Sequence, residues 1–229
     1  MPGIGTYRIM LLSLVAASAA YSQGTVNFVN LNTSVTPIID ARISYTAGGP
    51  MPGGAVDSAA SVTDPISQIT YGGASARVGL YGGPAGTKEK DLVLLGSIVG
   101  FGTGPNAGYI ASGPDSTRTV PSVAAGQPAV IQLRGWDAGL APGESTPAES
   151  YEAADLLSVR RGGVYLGKTR LVDVSALGGN GAPPAELFGL PQFDLPWFAV
   201  PEPSMLTLAA LAGFAGLLVV GRKPTGIGR

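Results

Sequence analysis

The sequence predicts a mainly β fold: a single antiparallel β-sandwich or jelly-roll-like domain with one short helix. Three observations lead there. Short runs rich in β-branched and aromatic residues recur along the chain. The 35 glycines and 19 prolines punctuate these runs, often as Gly-Gly or Gly-Pro pairs. No helical periodicity alternates with them, as a parallel α/β sheet would require. Short strands separated by turn residues favour packed antiparallel sheets.

The elements follow in order. Residues 25–30 (TVNFVN) alternate, with Val26 and Phe28 on one face. Residues 38–45, 76–81, 92–99, 118–123 and 129–137 (AVIQLRGWD) are further strands, with two shorter ones at 164–166 and 170–174. Gly48-Gly49-Pro50, Gly72-Gly73, Gly82-Gly83-Pro84, Gly113-Pro114 and Gly178-Gly179 provide turns, because glycine reaches positive φ and proline presets a turn angle. One helix is expected after Thr146, which can cap it, with Pro147 in its first position and Glu149 completing a capping box. Tyr151, Ala154 and Leu157 then share one face. A domain over 23–180 is expected, with 181–200 as a closing strand around Phe193 and a linker.

Composition removes whole classes of chemistry. The chain has no cysteine and no histidine, so disulfides, thiolate nucleophiles, imidazole bases and ordinary zinc sites are excluded. A charged fraction of 13% and a formal charge of -1 give no footprint for nucleic acid. No cofactor motif is complete. Gly100, Gly102 and Gly104 approach the dinucleotide fingerprint, but Pro105 and the following residues lack its spacing and its helix. Gly82 to Lys88 holds phosphate-loop ingredients in the wrong order.

The two ends read differently from the middle. Arg8 followed by the uncharged run 9–20 and by small residues describes a secretory signal peptide over 1–22, cut between Ser22 and Gln23, with a cut after Ala20 as the second choice. That run would rise only about 18 Å as a helix, against a hydrocarbon core of about 30 Å. The Sec translocon and signal peptidase are the partners it implies. Residues 205–220 (MLTLAALAGFAGLLVV) form a second uncharged apolar block, expected as a membrane helix. Arg222 and Lys223 behind it place the C-terminus on the cytoplasmic side.

Pro201-Glu202-Pro203, the apolar block and the basic Arg222-Lys223 together resemble the PEP-CTERM sorting signal. The resemblance spans about the last thirty residues, 201–229. It implies processing near Pro201, Glu202 and Pro203 by an exosortase, a membrane-embedded cysteine protease or transpeptidase. It also implies a secreted or surface destination, often in bacteria that make exopolysaccharide. Prolines 201 and 203 bias this segment toward extended geometry, as a protease substrate needs. The middle is similar to uncharacterised PEP-CTERM proteins at Gly24 to Phe28, Leu80 to Pro84, Gly102 to Tyr109 and Arg134 to Asp137. That second resemblance implies no activity.

A non-enzymatic surface or matrix protein is therefore the expected function. A carbohydrate-binding module is the alternative, with Tyr81, Tyr109 and Trp136 as sugar-stacking side chains. A glycan hydrolase would need facing carboxylates, for which Glu149, Glu152 and Asp155, or Asp137 with Glu144, are the candidates. Asn32-Thr33-Ser34 matches a glycosylation sequon.

Overall fold

The computed structural model describes residues 23–199. The signal peptide through Ser22, the Pro201-Glu202-Pro203 motif, the apolar block 205–220 and Arg222-Lys223 lie outside the described residues. Among the described residues, no helix is long and apolar enough to cross a membrane.

Among the described residues the chain is mainly β, with antiparallel sheets and one α-helix. Its principal strands are β1 (Gln23–Asn27), β2 (Ile43–Tyr45), β3 (Ala76–Pro84), β4 (Val93–Leu94), β5 (Thr117–Ala124) and β6 (Ala129–Asp137). The helix α1 (Tyr151–Arg160) follows, then β7 (Val164–Lys168), β8 (Val172–Val174), β9 (Phe193–Leu195) and β10 (Trp197–Phe198). Short two- and three-residue strands fill the intervening loops.

Strand β6 organises the molecule. Its whole length pairs with β3, from Ala129 opposite Pro84 to Asp137 opposite Ala76. Its other edge is shared: Arg134–Asp137 pairs with β7 and Ala129–Ile131 with β8. Strands β10 and β4 complete a six-stranded antiparallel sheet at its two edges. Between β7 and β8, the buried Thr169 stitches the gap. Its N–H donates to the Leu133 carbonyl, and its Oγ1 accepts from the Leu133 N–H at 3.1 Å.

Both faces of β6 are covered, so all nine of its residues are buried. Successive strand side chains point to opposite faces. Ala129, Ile131 and Leu133 enter the main core with Val26, Phe28, Ile43, Val120 and Leu195. Against this face lie the β1–β5 pair and a three-stranded sheet of β9, β2 and the short strand Gly54–Ala55. Trp136 faces the other way, into a smaller cluster with Val164, Leu166 and Ala154 of α1. Tyr151 and Leu157 pack on that cluster, so the expected apolar face of the helix is the buried one.

Several elements depart from expectation. The helix is capped by Ser150, whose Oγ accepts from Ala153 N–H at 3.0 Å, and not by Thr146. Ahead of this cap, the Ala148 carbonyl accepts from Trp136 Nε1 at 3.0 Å. Gly82 and Gly83 are strand residues within β3, not a turn. A Cβ at Gly82 would stand 2.7 Å from Ile131 Cδ1, so bare backbone is what lets β3 lie against this part of the core. The pair β9–β2 is parallel, an exception to the antiparallel expectation. Parallel pairing needs a long crossover, and nearly the whole domain lies between these strands. Toward the end of the described residues, β9 pairs with β2 and β10 pairs with Val164 and Tyr165 of β7.

Candidate functional site

Asp137 is fully buried at the end of β6, and its two oxygens are satisfied by donors alone. Oδ2 accepts from Tyr45 Oη at 2.7 Å and from the Gly72 N–H at 2.6 Å. Oδ1 accepts from Ser75 Oγ at 2.6 Å and from the Gly139 N–H at 3.0 Å. Four donors from three chain segments make this carboxylate a structural tie with no exposed surface. Glu144 is elsewhere engaged, its Oε2 accepting from the Ala141 N–H of its own loop. The structure therefore does not bring Asp137 and Glu144 together as a pair.

An aromatic cluster lies beside this tie. Tyr165 meets Tyr45 and Tyr71 edge-on, with ring centres 4.8 Å and 5.9 Å apart, and Trp197 at a tilt, 4.7 Å away. Edge-to-face rings add attraction beyond the area they bury. Tyr71 donates to the Gly163 carbonyl at 2.8 Å, and Tyr165 accepts from the Met51 N–H at 2.9 Å. Burial pushes the Tyr71 hydroxyl up to about 12. Burial, and then the charge and hydrogen bond of Asp137, push Tyr45 higher still. Unfolded tyrosines ionise near ~10. The stability these groups contribute is fully present below that pH and is lost as pH rises through their folded values. Alkaline titration followed by tyrosinate absorbance should show Tyr45 and Tyr71 ionising only together with unfolding, above pH ~10. Reversible ionisation of all eight tyrosines near pH ~10 in the folded protein would contradict this.

The three expected sugar-stacking side chains fare differently. Trp136 is fully buried between β6 and α1 and offers no face to a sugar, which corrects that expectation. Tyr81 is buried too, and the Arg134 guanidinium covers its ring at 4.1 Å. Tyr109 alone is half exposed; Arg42 lies 4.8 Å from its ring, and its hydroxyl donates to Asp40 Oδ1 at 2.7 Å. The helix carboxylates also separate. Glu149 precedes the cap and is exposed, whereas Glu152 and Asp155 belong to the helix.

What the structure assembles instead is a charged cleft of about 410 Å³ between α1, β6, β7 and the loop 88–90. Arg134 forms its floor. This side chain is 7% exposed and makes three charge-assisted bonds. Nε donates to Gln132 Oε1 at 2.8 Å, Nη1 to Glu152 Oε1 at 2.7 Å, and Nη2 to the Glu89 carbonyl at 2.7 Å. Tyr81 Oη donates to the other Glu152 oxygen at 3.0 Å. At the rim Lys168 pairs with Glu89, and this bond is the chief reason the Glu89 carboxyl lies below its ordinary range. Lys88, Lys90, Tyr151 and Asp155 complete the lining. Sequence reasoning missed this grouping, because Arg134, Glu89, Glu152 and Lys168 come from four separate elements. The available signal was one arginine on a strand whose neighbours are otherwise mostly apolar.

Such a cleft can bind through donors, acceptors and an aromatic wall. Among the described residues, no group of three or more Asp or Glu side chains is placed to hold a metal ion. No family model, curated protein sequence or solved structure matches the chain.

Proposed function

We propose that the chain is an exported, non-enzymatic surface or extracellular-matrix protein, held by the apolar block 205–220 and processed by an exosortase at its tail. The observation that carries this reading is the order of sequence features. A basic start and short apolar run open the chain, while Pro201-Glu202-Pro203, a span-like block and Arg222-Lys223 close it. The folded middle is compatible with life outside a reducing compartment, since it has no thiols to oxidise and closes its core by packing alone. Its six-stranded sheet, faced by the β1–β5 pair and the β2–β9 sheet, is read as a sandwich whose second layer is broken into pieces.

The experiment compares the mass and location of the protein in its native host and in a strain whose exosortase lacks its catalytic cysteine. The expected result is loss of the tail in the first strain and retention of a membrane-bound, full-tail form in the second. Identical mass and release in both strains would remove the sorting proposal.

A further inference from the structure

We propose that the cleft over Arg134 is a binding site for an acidic sugar, a polyhydroxylated ring bearing one carboxylate. Its volume, about 410 Å³, lies within the range of small-molecule sites and admits a ligand of one to two sugar rings.

The charge arrangement selects the chemistry. Two of the four cations in the lining are already matched: Arg134 by Glu152, and Lys168 by Glu89. Lys88 and Lys90 face the cleft with no hydrogen bond or ion pair among the described residues, and Asp155 is their only unmatched opposite. The surplus is one positive charge. A phosphate dianion would bring more charge than that surplus balances and would meet the oxygens of Glu89, Glu152 and Asp155 at close range. A divalent cation would face four positive side chains. A monocarboxylate fits the surplus, with Lys88 and Lys90 in the lining to pair with it.

The rest of the lining suits hydroxyl groups. Carboxylate oxygens on Glu152 and Asp155 accept hydrogens that a sugar hydroxyl offers, and the lysines donate to its oxygens. Half-buried Tyr151 adds a flat apolar wall against which C–H faces of a ring can rest. Its orientation is fixed from beneath: the Arg134 guanidinium lies 5.6 Å from its ring, and Trp136 meets it edge-on at 6.3 Å. Arg134 thus positions Tyr151, Glu152 and the 88–90 loop in one rigid frame. The two exposed lysines are what a ligand must still order.

The site stands on the folded domain alone and does not depend on how the tail is processed. It is tested with the full protein by calorimetric titration against galacturonate, a single ring with one carboxylate, with neutral galactose and inorganic phosphate as the comparison ligands. The expected result is saturable binding of galacturonate that weakens about tenfold in the double variant Lys88→Gln, Lys90→Gln and at high salt. Both lysines are exposed, so the variant should melt at the parental temperature. In labelled parental protein, the amide signals of Lys88, Lys90 and Tyr151 should move on titration, a readout independent of any variant. Absence of binding, equal binding of galactose, full competition by phosphate at matching concentration, or unchanged affinity in the double variant would each overturn the proposal.

Discussion

Asp137→Ala is expected to leave the domain unfolded or nearly so, with a loss of at least ~4 kcal/mol in denaturant titrations. Each of its four donors gives up a bond to a charged acceptor, worth roughly 1.5–3 kcal/mol apiece. The Gly72 and Gly139 N–H groups then have no acceptor within a site that excludes water. Such a loss rivals the whole stability of an ordinary domain, roughly 5–15 kcal/mol. Asp137→Asn separates charge from shape. The hydroxyls of Tyr45 and Ser75 can turn and accept from an amide. A backbone N–H cannot, and whichever side the amide nitrogen takes, it meets either Gly72 or Gly139. The asparagine variant should therefore fold but lose about 2–3 kcal/mol, one unmade buried bond with its desolvation. Equal stability of Asp137→Asn and the parent would refute the role given to this carboxylate.

Trp136→Ala is expected to cost roughly 3–5 kcal/mol by emptying the cluster between β6 and α1. The effect extends beyond the cavity. Loss of the indole frees the Ala148 carbonyl and removes the edge contact that steadies Tyr151. Trp136→Phe should recover most of the packing but not the hydrogen bond, and so fall between alanine and the parent in thermal melting. Any sugar-binding defect in Trp136→Ala should then scale with the loss of fold, because this side chain has no exposed surface. A defect at full stability would instead mean that the indole reaches ligand.

The strand expected at residues 129–137 is the strand observed, Ala129–Asp137, because a run of β-prone residues bounded by Gly-Gln-Pro and Ala-Gly leaves the backbone little choice. The partners of that strand were less legible. Residues 92–99 read as one strand, yet only Val93–Leu94 pairs continuously; Val99 makes an isolated bridge to Val78. The turn at Gly178-Gly179 was visible, and there Asn180 and Gly181 both take positive φ at a two-residue hairpin. The charged cleft was hidden for a different reason. Its members gain meaning only through pairing register, which sets Arg134 beside Lys168 and brings α1 over both. Local periodicity carries which side chains are buried; it does not carry which distant strand lies alongside.

The closing strands have a consequence in time as well as in space. Thr46 and Leu195 share a hydrogen bond across 149 residues of chain, and β10 brings Trp197 against Tyr165 and Tyr71. Contacts of such long sequence separation form late and slowly. A chain emerging from its N-terminus holds β2 and β7 ready but leaves the Tyr45–Tyr165 corner open to water until its final strands arrive. A polypeptide halted before Phe193 should remain protease-sensitive throughout, while one extended past Phe198 should become resistant in a single step.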